Sequence, residues 1–157
     1  MMSFKAVLFA LAAMVSSILA ATTPAGMAYL EANRAKEGVV ELPSGLQYRV
    51  IKSGPEGGKS PAVSTPCECH YKGSTIEGTE FDSSFKRGKP TTFAPNQVIK
   101  GWTEAMQLMK EGDYWELTIP SELAYGDSQR GQYITPGAVL VFELELIKVK
   151  GKTSSEL

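Results

Sequence analysis

Histidine and cysteine are the scarcest chemistry-bearing residues of this chain, with one histidine, His70, and two cysteines, Cys67 and Cys69, among 157 residues. A structural zinc site takes about four thiolate or imidazole ligands, so a C-x-C pair with one histidine nearby falls short, and no metal or other cofactor is expected. In a strand the C-x-C spacing puts both thiols on one face, with Cα atoms near the outer limit for a bridge. A disulfide would distort the strand, so two buried thiols are expected.

Charge of one sign is also lacking. There are 16 Lys+Arg against 17 Asp+Glu, a formal charge of −1, and no basic run or stripe. Nucleic-acid partners are therefore excluded on electrostatic grounds. A phosphate-binding loop is suggested by Gly-Gly-Lys-Ser at 57–60, but the pattern would require glycine where Ser53 stands. Asn33 and Asn96 lack a Ser or Thr two residues on, so neither is a glycosylation acceptor.

Long apolar runs are confined to the start. Lys5 precedes an apolar and small-residue run over 6–19, and Ala20 suits a cleavage point. The run is shorter than the ~20 residues a span needs, so residues 1–20 are expected to be a cleaved signal peptide. Cleavage removes Lys5 and leaves a chain of charge −2 with no second stretch to hold it in a membrane. Its compartment would be the secretory pathway, as an ER-lumenal or secreted protein, or the periplasm of a bacterium.

What the chain does have is one clear helical pattern, over 97–112. Val98, Ile99, Trp102, Met106 and Met109 share a face, and Gly112 suits the left-handed position that ends a helix. Gly101 costs about 1 kcal/mol of helix propensity relative to alanine, which points to close packing or to a ligand's approach. Trp102 beside it is either the largest residue of a buried face or a platform for something flat.

Before that helix, residues 21–37 read as a short leader of two or three helical turns that docks or frays, and is too short for a dimerisation domain. Period-two alternation marks strands. Leu46, Tyr48 and Val50 form one, Cys67, Cys69 and Tyr71 a second, and a turn at Glu77-Gly78 leads into 79–82 as a hairpin. His70 falls on the polar face and reads as a solvated surface residue. Beyond a basic loop at 86–90, Trp115, Leu117 and Ile119 form another strand, and Leu140, Phe142, Leu144 and Leu146 the last. Clean alternation implies an antiparallel sheet covered on one side, hence an α+β domain of about five strands wrapped across a single short helix. Its expected span is 38–150, followed by a polar tail at 151–157. With no coiled-coil extension, a monomer is expected.

The ordered set His70-Tyr71-x-Gly73, Phe81-Asp82-Ser83-Ser84, Val98-Ile99-x-Gly101-Trp102, Ala124-Tyr125-Gly126 and Leu140-Val141-Phe142-Glu143 resembles the FKBP family of peptidyl-prolyl cis-trans isomerases. The lead-in at 38–51 is similar to that of its macrophage-infectivity-potentiator type. The resemblance implies a half-open antiparallel sheet curled over one helix, with the active site between them. It implies catalytic roles for Tyr71, Phe81, Asp82, Trp102, Tyr125 and Phe142, with Trp102 as the floor of a proline pocket. Val98, Ile99, Arg87, Phe93, Tyr133 and Ile134 would complete the substrate-binding set, the Ile99 N–H and Tyr125 hydroxyl holding substrate carbonyls. Partners would be proline-containing polypeptides, with macrolides as inhibitors. Rotating an amide needs neither nucleophile nor metal, which suits the absences above. Asp82 would orient Tyr71, kept ionised by Arg87 five residues on. Thr91, a short segment between Phe93 and Val98, and the 128–133 loop with Arg130 and Tyr133 depart from the common pattern, which bears on substrate and macrolide preference. The competing reading is a non-catalytic module or holdase chaperone that grips proline segments.

Overall fold

The computed structural model describes residues 22–153 and Glu156; the expected signal peptide lies outside them. The elements in order are helix α1 (Pro24–Arg34), strands β1 (Val39–Glu41), β2 (Gln47–Lys52), β3 (Cys67–Thr75) and β4 (Glu80–Ser83), and the one-turn α2 (Ser84–Arg87). There follow β5 (Thr91–Phe93), helix α3 (Lys100–Leu108), and strands β6 (Tyr114–Ile119) and β7 (Leu140–Val149). The seven strands form one antiparallel sheet in the order β1-β2-β6-β7-β3-β4, with β5 also on β3. Beyond the five expected strands are β1 and β5, each of three residues. At that length period-two alternation carries almost no signal.

The sheet's inner face follows the alternation. Cys67, Cys69 and Tyr71 of β3, Leu117 and Ile119 of β6, and Leu140, Phe142, Leu144 and Leu146 of β7 are all buried. They pack against Trp102, Ala105 and Met106 of α3 and Met109 just beyond it. Both cysteines are free thiols.

Helix α3 is shorter than 97–112. It ends at Leu108, because Met109 turns to extended backbone at φ −80° and ψ 160°. Asp113 organises the turn that follows, accepting the Gly54 N–H at 2.7 Å and the Lys110 N–H at 3.0 Å. Gly112, at φ +88°, belongs to this turn and not to a helix cap. Gly101 is explained by packing. A Cβ there would lie 2.7 Å from Ile119 Cγ2, so its absence lets the first turn of α3 settle on β6.

The leader docks. Thr23 caps α1 by accepting the Gly26 N–H, with Pro24 opening the helix, a favoured start. At the other end Asn33 Nδ2 donates to Gln47 Oε1 at 2.8 Å and Thr118 Oγ1 at 3.2 Å. Gln47 and Thr118 are cross-strand partners, and both are buried. Because Thr118 points away from Leu117 and Ile119, α1 covers the outer face of the sheet at this end. The expectation of one covered side is corrected accordingly, and so is the first strand: Gln47 is buried, whereas Val50 and Ile51 are exposed.

Candidate active site

The site is assembled where α3 meets the open end of the sheet. The β3–β4 hairpin pairs Gly73 with Asp82, while β7 pairs Phe142 with Gly73. A Cβ at Gly73 would lie 2.6 Å from Phe142 Cε1 and 2.7 Å from Phe81 Cζ. Its absence leaves room for those two rings to meet edge to face, with centroids 5.6 Å apart.

Trp102 is boxed by three rings. Tyr71 and Phe142 stand edge-on at 5.2 Å and Phe93 at 5.7 Å, geometries that aromatic quadrupoles favour. Trp102 is only 4% exposed, so it is a core residue that also lines a cavity. Its Nε1 is buried without a hydrogen-bond partner. The resulting cleft holds about 250 Å³ and is lined by Tyr71, Phe81, Asp82, Phe93, Val98, Ile99, Trp102, Tyr125 and Phe142. Among the described residues neither the Ile99 N–H nor the Tyr125 hydroxyl has a hydrogen-bond partner, which leaves two donors available at an apolar cleft.

Asp82 is the only carboxylate among the described residues that line the cleft. Tyr71 donates its hydroxyl proton to Asp82 Oδ2 at 2.5 Å. Arg87 donates to Asp82 Oδ1 at 2.5 Å and to the Tyr71 oxygen at 2.9 Å, closing a three-membered network. Burial works to raise the Asp82 pKa, but donation from Tyr71 and Arg87 outweighs it and holds the carboxyl below its ordinary value. Burial pushes the Tyr71 hydroxyl up, and the bond to Asp82 adds to this against the opposing Arg87. The network keeps the proton on Tyr71 and the charge on Asp82.

Helix α2 places Arg87. Ser83 caps it by accepting the Lys86 N–H, and Gly88 closes it in a left-handed conformation at φ +70°. Buried Ser84 accepts the Tyr71 N–H at 2.7 Å and meets His70 Nδ1 at 2.9 Å. His70 is therefore not a solvated surface residue: its ring stacks on Phe85 with centroids 4.6 Å apart. It braces the turn that carries Arg87.

Of the twelve residues singled out in the sequence, nine line the cleft and Arg87 reaches it through Asp82 and Tyr71. Ile134 is buried in the core. Tyr133 stands apart: it is exposed and lines a separate depression with residues of the leader and of the 75–77 turn. The Arg87 contact with the Tyr71 hydroxyl and the bracing by His70 have no sequence signal, because each depends on how α2 folds back.

The family model for FKBP-type peptidyl-prolyl cis-trans isomerases matches residues 57–147. The chain belongs to that family. A second model, for the domain amino-terminal to FKBP-type isomerases, matches residues 3–50. The macrophage infectivity potentiator of Trypanosoma cruzi is 50% identical over 136 residues, covering 84% of this chain and 69% of its own length. The FKBP-type 22 kDa peptidyl-prolyl cis-trans isomerase of Escherichia coli is 52% identical over 124 residues, but the match spans only 59% of it. Among solved structures, FkpA from Escherichia coli aligns with a TM-score of 0.77 at 37% identity over 93% of this chain and 71% of that one. A peptidyl-prolyl cis-trans isomerase from Pseudomonas syringae aligns at 0.74 and 38%, over 81% and 92%. This FKBP chain contains no helix among its described residues long and apolar enough to cross a membrane.

Proposed function

We propose that this FKBP-family chain catalyses cis-trans rotation of X–Pro bonds in polypeptides, and does so in the Trp102 cleft. The observation that carries this reading is the box of edge-on rings around Trp102, opening into a cleft lined by two unpaired donors.

Rotation faces a barrier of about 18–20 kcal/mol because amide resonance must be broken. The planar amide is strongly dipolar and well solvated; the twisted one is less so. An apolar, water-poor cleft therefore binds the twisted form better than the planar one, which is the condition for catalysis. The proline ring rests on Trp102 between Phe81, Tyr71 and Phe142. The Ile99 N–H and Tyr125 hydroxyl hold carbonyls on either side, so the bond between them is the one free to turn. Asp82 does not transfer a proton in this scheme. It fixes the Tyr71 ring and gives the cleft a directed field. Lowering the barrier by about 7–8 kcal/mol corresponds to roughly 10⁵- to 10⁶-fold acceleration. Clients would be exported chains, given the expected signal peptide.

The test is cis-trans exchange of a short Leu-Pro peptide, followed by NMR with purified residues 21–157, with and without a rapamycin-class macrolide. Acceleration that the macrolide blocks and Trp102→Leu reduces supports the assignment. A folded protein that binds the peptide without accelerating exchange would establish the binding-module reading instead.

A further inference from the structure

The loop between Tyr125 and Val139 carries a charge that the mechanism above does not use. Arg130 lays its guanidinium over the face of Tyr125, 5.0 Å from the ring centroid, and Tyr125 lines the cleft. Among the described residues Arg130 has no carboxylate partner, in contrast to Arg87, which is neutralised by Asp82. An exposed, unpaired arginine is ordinarily a mobile one, but this one is held at both ends. Its backbone N–H donates to the Ile134 carbonyl at 2.9 Å and its carbonyl accepts the Ile134 N–H at 3.3 Å, and Ile134 is anchored in the core. The loop is closed further by the Gly137 N–H on the Gly126 carbonyl at 2.8 Å and the Ser128 N–H on the Tyr125 carbonyl at 3.0 Å. Stacking on the ring then fixes the side chain, so little rotamer freedom remains to be lost when a ligand's anion arrives.

Building on the isomerase reading, we propose that Arg130 is a specificity-determining residue that selects polypeptides with an acidic side chain flanking the proline. A substrate whose carbonyl meets the Tyr125 hydroxyl has its neighbouring side chain next to this ring. An aspartate or glutamate there meets a preoriented guanidinium whose planar fork matches a carboxylate. A lysine there meets a like charge. Asp127, exposed in the same loop, forms no hydrogen bond or ion pair with Arg130 among the described residues. Its charge, unpaired with Arg130, offsets the field of that residue only in part.

The experiment measures two quantities separately for Ala-Xaa-Pro-Phe and Ala-Ala-Pro-Xaa peptides, with Xaa as Glu, Gln or Lys: the exchange rate, and the dissociation constant by NMR titration. In the wild-type chain the Glu peptide of one series is favoured over its Gln isostere by about two- to fivefold, the range of an exposed ion pair. The preference shrinks as salt is raised. Arg130→Ala removes it, Arg130→Glu reverses it toward Lys, and Asp127→Asn enlarges it. Lys100→Ala, which removes the exposed cation that follows Ile99 in the chain, leaves most of it. Equal handling of Glu and Gln in both series, or a preference that persists in Arg130→Glu, overturns the proposal whether or not exchange is accelerated. Charge-dependent binding without acceleration would uphold Arg130 while refuting the isomerase reading.

Discussion

Tyr71 and Asp82 sit on adjacent antiparallel strands with hydroxyl and carboxylate 2.5 Å apart, and both line the same cleft. The contact joins a wall of the site to the one carboxylate among its described lining residues. Arg87 touches both partners, so the unit resists being pulled apart by either one.

Replacing Asp82 by Asn keeps the shape and removes the charge. Peptide exchange is expected to slow by about tenfold, the scale of losing charge-assisted hydrogen bonds at a site, with little change in thermal stability because the pair is partly exposed. The wild-type carboxyl lies below its ordinary value of 3.8. It is thus ionised throughout the neutral range, and activity should be flat between pH 5 and 8. A folded-state pKa below the unfolded one means that its contribution to stability is present above that unfolded value. The contribution is lost as pH falls through the folded one. The small stability difference between wild type and Asp82→Asn should therefore disappear only under acid conditions.

Gly101→Ala sets two effects against each other. Helix propensity gains about 1 kcal/mol, but the new methyl must share space with Ile119 Cγ2 at 2.7 Å, and overpacking of this kind costs about 1–3 kcal/mol. Both partners belong to the packed interior, so overpacking is expected to win. Urea denaturation should show a net loss. Ile119→Ala should cost less in the Gly101→Ala background than in wild type, since the two side chains compete for one volume.

The thiols should be inert in the folded chain. Burial pushes Cys67 to about 11 and Cys69 to about 12, and only the thiolate attacks a disulfide reagent. At pH 8 neither should react with an aromatic disulfide until denaturant is added, whereupon both should. The folded state also keeps these protons to higher pH than the unfolded chain does, so it binds more protons above about pH 9 and stability must fall as pH rises toward 12. Tyr114, pushed up to about 12 by burial and by its bond to Glu143, acts in the same direction.

Asn33→Ala removes the donor that satisfies Gln47, which is fully buried. Gln47 Nε2 would still reach the Leu30 carbonyl, but its Oε1 would lose the Asn33 donor. A cost of about 1–3 kcal/mol follows for a buried polar atom left unpaired. Proteolysis should then begin within the leader while the cleft remains intact. Unchanged stability would mean that α1 is merely resting on the sheet.

The sequence by itself determined the sheet's inner face, because Cys67, Cys69, Tyr71, Leu117, Ile119, Leu140, Phe142 and Leu144 alternate at the period that a pleated strand imposes. It also determined the membership of the cleft, because the FKBP-like motifs place Tyr71, Phe81, Asp82, Ile99, Trp102, Tyr125 and Phe142 at recognisable spacings. Much else depended on neighbours distant in the chain. Helix α3 stops at Leu108 because Asp113 gathers the Gly54 and Lys110 N–H groups, an acceptor that a periodicity count cannot see. Gln47 reads as outward-facing until Asn33 arrives from α1, and His70 reads as solvated until α2 folds Phe85 onto its ring. Tyr133 and Arg130 are three residues apart in one loop, yet Arg130 lies over the Tyr125 ring while Tyr133 lines a separate depression, a division that spacing along the chain does not reveal. Tertiary structure decided these cases for one physical reason: a short polar or aromatic side chain takes its role from the partner it meets, whereas an apolar side chain on a regular strand needs only to be kept from water.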